Sequence, residues 1–257
     1  MKDTLRQTAV IFTILITLIV NGLANALPLN GLNTGQISDR FHVFFVPAGY
    51  VFSIWGVIYL GLIAFAVFQA LPAQRQNPRL QAVGWWISLG GLANSAWIFL
   101  WHYQQFPMTV VVMLVLLATL IVTYLGLEIG RSGVSRAEMW AVRIPFSIYL
   151  GWITVATVAN ITDLLDYWKW DGFGIAPELW MGIMLFAVLI ITALINFTRR
   201  DVAFTLVILW ALAGISIKQA AVAAVVIPTW ITFGLVALTL LVVFVLPNPR
   251  KNLKMAA

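Results

Sequence analysis

Apolar residues fill this chain in long blocks separated by short polar breaks. Runs of roughly 20 mainly apolar residues, enough to cross about 30 Å of hydrocarbon as helices, lie near residues 8–27, 49–71, 81–102, 107–127, 141–162, 178–197, 202–219 and 224–246. The breaks are charged or rich in Pro, Gly and Asn. Short alternating segments of the kind that build membrane barrels do not occur. The pattern therefore predicts an all-α, polytopic transmembrane helix bundle of about eight spans. The least distinct boundary is the short break around Lys218-Gln219, between the last two.

Composition excludes the other classes. Of 257 residues, 62% are hydrophobic and 9% charged, whereas a soluble domain carries about 25% charged residues to cover its surface. Water-soluble folds and disorder are both ruled out. The net charge of +6 then reports membrane topology and not nucleic-acid binding. The absence of cysteine removes disulfides, thiolate metal sites and cysteine nucleophiles.

The charges test the parsing into spans. With the N-terminus inside, the cytoplasmic segments hold Lys2, Arg6, Arg75, Arg79, Arg131, Arg136, Arg143, Arg199, Arg200, Arg250, Lys251 and Lys254. The opposite side holds only Arg40, Lys169 and Lys218. This bias runs the same way at every loop and places both termini in the cytoplasm. A bacterial plasma (inner) membrane is the default location. One rival exists for the first segment: Lys2, Arg6, a short apolar run and Ala24-Asn25-Ala26 also resemble a signal peptide and its cleavage site.

Two connections are long. Residues 28–48 form a polar outer loop without helical period, and residues 163–177 a second, holding Asp163, Asp166 and Asp171. Loops longer than about 12–15 residues are more often functional than idle. No inverted repeat of the transporter type is visible.

Inside the spans the polar chemistry is narrow. All nine Asp and Glu fall in loops or at span ends on this parsing, which counts against proton-driven pumps and ion-coupled carriers. His42 and His102 sit at span edges, so no catalytic triad and no metal site can be drawn. As a pair on one side they could ligate a haem iron, a role few lone histidines have. Lys218 lacks the acidic counter-ion at depth that a Schiff base needs, and snorkelling accounts for it better.

What the spans do carry is Asn, Trp and Tyr at helical spacing. Asn21 and Asn25 mark span 1, and Phe52, Trp55 and Tyr59 mark span 2. Asn94, Trp97 and Trp101 mark span 3, and Tyr149, Trp152, Ala156 and Asn160 mark span 5. Residues three and four apart share a helix face, and the charge-derived topology brings the four faces to one level under loop 28–48. Amides and indoles with aromatic walls describe a pocket for a flat, largely apolar ligand. The competing reading is structural: tryptophans at span ends form an interfacial belt, as Trp85, Trp86, Trp140, Trp168, Trp170 and Trp180 do here. Asparagines in spans commonly bond a neighbouring helix. Trp55 and Trp152 lie too deep for a belt.

The same segments resemble the tryptophan-rich sensory protein family, also called the translocator protein or peripheral benzodiazepine receptor family. Pro47-Ala48-Gly49-Tyr50-Val51-Phe52-Ser53-Ile54-Trp55, continuing to Tyr59, looks like the family's Pro-Pro-Gly-Trp-Val-Phe-x-x-Val-Trp-x-x-Leu-Tyr. Ala93-Asn94-x-x-Trp97 looks like its Leu-Asn-x-x-Trp. Pro145-Phe146, Trp152 and Ala156-Thr157-Val158-Ala159-Asn160 look like its fifth-helix motifs. Two departures are Ala48 in place of the family's second Pro and Tyr50 in place of its common Trp.

The resemblance covers residues 8–162 and implies a five-helix bundle that binds porphyrins and related tetrapyrroles, or in some members sterols and synthetic aromatic ligands. Carried over, Trp55, Asn94, Trp97, Trp152, Ala156 and Asn160 line the pocket, with loop 28–48 as its lid. Asn21, Asn25, Tyr50, Tyr59, Trp101 and Tyr149 complete the candidate ligand-binding set.

The chain is thus expected to divide into a five-helix bundle, residues 1–165, and three further helices with a short basic tail, residues 166–257. The added helices have no counterpart in five-helix members and could stand in for the family's homodimer contact. The expected function is a membrane-embedded sensor or transporter for a planar hydrophobic ligand, foremost a tetrapyrrole, with no cofactor beyond that ligand. The expected partners are the lipid bilayer, this hydrophobic small molecule (a tetrapyrrole or a sterol-like one) and, in a homodimer, a second copy of the chain, with no nucleic acid. Two alternatives are a small-molecule permease and a light- or oxygen-dependent porphyrin-degrading enzyme using Trp55, Trp97 or Trp152 as redox partners. The enzyme ranks last because no acid/base pair supports conventional catalysis.

Overall fold

A computed structural model describes residues 2–27 and 29–246. The expected basic tail with Arg250, Lys251 and Lys254 lies outside the described residues, as does the side chain of Asn25. Eight long helices carry the chain back and forth: α1 (Lys2–Ala26), α3 (Ile54–Ala70), α4 (Pro78–His102), α5 (Phe106–Gly126), α7 (Ile144–Tyr167), α8 (Pro177–Arg199), α9 (Val202–Lys218) and α10 (Ala223–Val245). Two short ones, α2 (Thr34–Ser38) and α6 (Arg136–Glu138), sit in the connections. Seven helical segments are long and apolar enough to cross a membrane. The eighth, α9, has 17 residues and so spans about 26 Å. No strand occurs among the described residues, and the protein is an all-α integral membrane protein.

Local sequence sets the helix starts. Asn77 caps α4 by accepting from the backbone N–H of Arg79 and Leu80, and Pro78 follows where its missing N–H costs nothing. Asp201 caps α9 through the N–H of Phe204, 3.1 Å away. A π-helical segment, Met139–Arg143, joins α6 to α7 directly ahead of Pro145. Proline cannot donate to the helical ladder, and a π turn absorbs that irregularity inside a continuous span. Gly130 (φ +71°) closes the α5–α6 connection, where a Cβ would fall 2.0 Å from the carbonyl oxygen of Arg199.

Packing makes two groups. Helices α1, α3, α7, α5 and α4 form a closed ring, each against the next, with α4 also touching α1. Helices α8, α9 and α10 pack together and meet the ring mainly through α9 on α7. Small residues permit the close approach expected where lipid offers no hydrophobic drive. Gly214 of α9, for example, lies where a Cβ would be 2.2 Å from Cγ2 of Val51. Buried polar bonds reinforce both groups. Gln7 donates to the carbonyl of Gln69 at 2.6 Å, and within the second group Thr205 donates to Asn196 (2.6 Å), which donates to Thr239 (2.9 Å).

The two ends of the bundle differ in charge. At one end Arg6 donates to the carbonyl of Arg75, Arg79 pairs with Glu138 at 2.9 Å, and Arg199 donates to the carbonyl of Ile129. The described chain begins and finishes there: Asp3 accepts from Gln81, and Leu246 accepts from Arg200. The opposite, lid end carries residues 29–48.

Three expectations need correction. Helix α7 continues to Tyr167, so Asp163 is not in an outer loop. It lies within the last turns of that span, 2% exposed. Loop 28–48 contains regular structure, a 3₁₀ turn at Leu29–Gly31 and helix α2, whose Asn33 and Gln36 form a reciprocal capping box. Lys218 does not reach out to solvent alone; its ammonium pairs with Asp39 of the lid at 2.8 Å.

Candidate functional site

The lid end encloses a small cavity of about 40 Å³. Its roof is Thr34, Ser38, Val46 and Pro47 from the lid. Its walls are Phe52, ahead of α3, Trp97 and Trp101 of α4, and Trp152, Ala156, Asn160 and Asp163 of α7. The α7 residues share a face because 152, 156, 160 and 163 recur at i, i+4, i+8 and i+11. Trp97 and Trp101 stack, with ring centroids 5.1 Å apart and planes 17° apart. Trp152 meets Phe52 and Trp55 edge-on, at 5.6 and 6.2 Å.

Not every candidate residue reaches this space. Trp55 and Tyr59 stack behind Trp152 at 5.6 Å, and Trp55 also touches the ring of Tyr149. Tyr50 is exposed and packs against Trp210 of α9. Asn21, Asn94 and Tyr149 form a buried chain linking three helices. The Asn21 amide donates to Asn94 Oδ1 at 2.7 Å, and Asn94 donates to the Tyr149 hydroxyl at 2.9 Å. Asn160 accepts from the Trp97 indole at 3.0 Å and donates to Thr109 at 2.9 Å. The amides of Asn94 and Asn160 are therefore engaged between helices.

Two polar atoms of the cavity residues have no such partner among the described residues: Nε1 of Trp152 and Oδ1 of Asp163. Both side chains are 2% exposed. A buried donor or acceptor left unbonded costs about 1–3 kcal/mol, so this pair marks where a water or a ligand atom is favoured. A cavity of about 40 Å³ holds roughly one water. Asp163 is the residue that sequence reasoning missed. Its signal was its place three residues after Asn160, on the same face.

The lid is clamped from several sides. Trp101 donates its indole N–H to the carbonyl of Thr34 at 3.1 Å, and the Thr34 hydroxyl meets His102 Nε2 at 3.2 Å. His102 Nδ1 lies 3.1 Å from the carbonyl of Leu29, so this histidine is engaged in holding the lid. Asp166 accepts from the N–H of His42. From the second helix group come the Lys218–Asp39 pair, two bonds from Gln219 to the carbonyls of Val43 and Phe44, and the bond from Ala48 N–H to the carbonyl of Gly214.

A larger cavity, about 780 Å³, opens at the basic end between α7 and α9. It contains none of the candidate residues and is a separate feature.

These elements define a class: a polytopic helix bundle with a small aromatic-walled cavity beneath the structured 29–48 connection at one end of the bundle. Residues 7–245 match the family model of the TSPO-like proteins, and the chain belongs to that family. The match runs through all eight long helices, beyond the residues 8–162 that carry the motif resemblance. No curated protein and no solved structure matches the chain significantly.

Proposed function

We propose that this protein binds a planar, largely apolar molecule, foremost a porphyrin or related tetrapyrrole, in the cavity beneath the lid, as a sensor or transporter. The observation that carries the reading is the unpartnered pair of Trp152 and Asp163 within an aromatic-walled cavity. The indole faces offer stacking surfaces, and the two polar atoms offer one donor and one acceptor to a ligand's edge. Drug-sized ligands need roughly 300–1,000 Å³, far more than the closed cavity. Binding therefore requires the lid to lift.

The division of labour follows. Helices α1, α3, α4, α5 and α7 supply the binding bundle, and the second helix group braces its lid through Gly214 and Lys218 of α9 and Gln219 just after it. In this reading the second helix group covers a face of the first, as a homodimer partner would. The bilayer is the cytoplasmic membrane of a bacterium, with the basic end inside.

The test is titration of the detergent-purified protein with protoporphyrin IX, followed by tryptophan quenching and the Soret band. Saturable binding of one porphyrin per chain is expected. Non-saturating uptake, equal to that of empty micelles, contradicts the reading. The lid clamp gives a second expectation. Asp39 is exposed, and an exposed ion pair contributes only about 0–1 kcal/mol. Lys218→Gln should leave the melting temperature nearly unchanged while porphyrin association in stopped-flow quenching rises about two- to fivefold.

A further inference from the structure

The wide groove at the basic end takes no part in the site beneath the lid, and its charge and length identify an occupant. It runs between α7 and α9, with a volume of about 780 Å³. Three guanidinium groups, Arg143, Arg199 and Arg200, line its polar end against a single carboxylate, Asp201. That carboxylate is already used: it accepts from the hydroxyls of Tyr124 and Ser147 and from the N–H of Phe204. Arg143 is 3% exposed and bonds to the carbonyl and hydroxyl of Ser132, and Glu138, itself paired with Arg79, and Glu128 act on its charge from outside the groove.

Beyond this end the lining is apolar and reaches Leu206 and Trp210 on α9, both open to the bilayer. From Val202, the first residue of α9, to Trp210 is eight residues, about 12 Å of helix rise, most of the depth of one leaflet of a hydrocarbon core of about 30 Å. The groove thus joins a cationic end to an apolar trough along α9 in which an acyl chain can lie. Basic pockets between transmembrane helices are suited to acidic lipid head groups.

We infer that this groove is a binding site for an anionic phospholipid of the leaflet at the basic end. The phosphate lies beside the arginines, and one acyl chain follows α9 to Trp210. A zwitterionic head group would bring its ammonium towards the same three guanidiniums and is disfavoured.

Native mass spectrometry of the full chain in detergent tests this, with phosphatidylglycerol and phosphatidylcholine of identical chains added in turn. The expected result is one retained phosphatidylglycerol per chain, favoured at least tenfold over phosphatidylcholine. Leu206→Trp, which fills the trough from a lipid-facing position, should abolish retention, and Arg200→Gln should reduce the preference. Leu241→Trp, equally lipid-facing but on α10, should leave retention unchanged. Equal retention of the two lipids, retention that survives Leu206→Trp, or displacement by an equal concentration of free fatty acid would each overturn the assignment.

Discussion

Asp201→Ala is expected to destabilise the protein by about 3 kcal/mol, a large loss for one polar side chain. The residue is 7% exposed and joins three helices. Its Oδ1 caps α9 at the N–H of Phe204. Its Oδ2 accepts from Tyr124 of α5 at 2.8 Å and from Ser147 of α7 at 2.6 Å. Alanine removes a cap, for which about 1 kcal/mol is typical. It also strands two buried hydroxyls, each at about 1 kcal/mol or more. Asp201→Asn keeps a carbonyl acceptor and should recover a large part of the loss. Thermal unfolding in detergent, read by size-exclusion chromatography after heating, measures both. A wild-type melting curve for Asp201→Ala would show that the joint between the helix groups rests elsewhere.

Trp152→Ala should weaken protoporphyrin IX binding at least tenfold, or about 1.4 kcal/mol. Among the described residues of the cavity, Trp152 alone combines an aromatic wall with an unpartnered N–H. Truncation removes a stacking surface and the donor together, and it leaves the ring edges of Phe52 and Trp55 unsupported. Trp152→Phe separates the two contributions, because it keeps an apolar ring and loses only the donor. An intermediate affinity is expected. Trp230→Ala, on the lipid-facing side of α10, controls for general loss of fluorescence and should bind as the unaltered protein does. Equal affinities for Trp152→Ala and Trp230→Ala would remove Trp152 from the site.

The helices were legible because their signal is length and apolarity, which a bilayer makes decisive. Even the weak boundary at Lys218-Gln219 marks the C-terminus of α9, at Lys218. The convergence of Trp97, Trp101, Trp152, Ala156 and Asn160 on one space follows the i, i+3 and i+4 rule read from their spacing. Asp163 escaped because a hydropathy window stops at the first carboxylate. Its continuation of the Ala156 and Asn160 face was the stronger clue, and a helix has no obligation to end where its apolar run does. The asparagine network was legible as polar helix-facing residues, but spacing alone does not say whether an amide turns to a ligand or to a neighbouring helix. The structure turns Asn94 to Asn21 and Tyr149, and Asn160 to Trp97 and Thr109. The lid clamp was invisible for a different reason. Asp39 and Lys218 are 179 residues apart, and only tertiary packing brings α9 over the lid.

The most direct measurement is an experimental structure of the protein with protoporphyrin IX bound. The macrocycle is expected against Trp97, Trp101 and Trp152, with Thr34, Ser38 and Val46 moved away from the cavity and the Lys218–Asp39 pair broken. A macrocycle lodged in the groove between α7 and α9, or on the lipid-facing surface with the lid unmoved, would contradict this expectation.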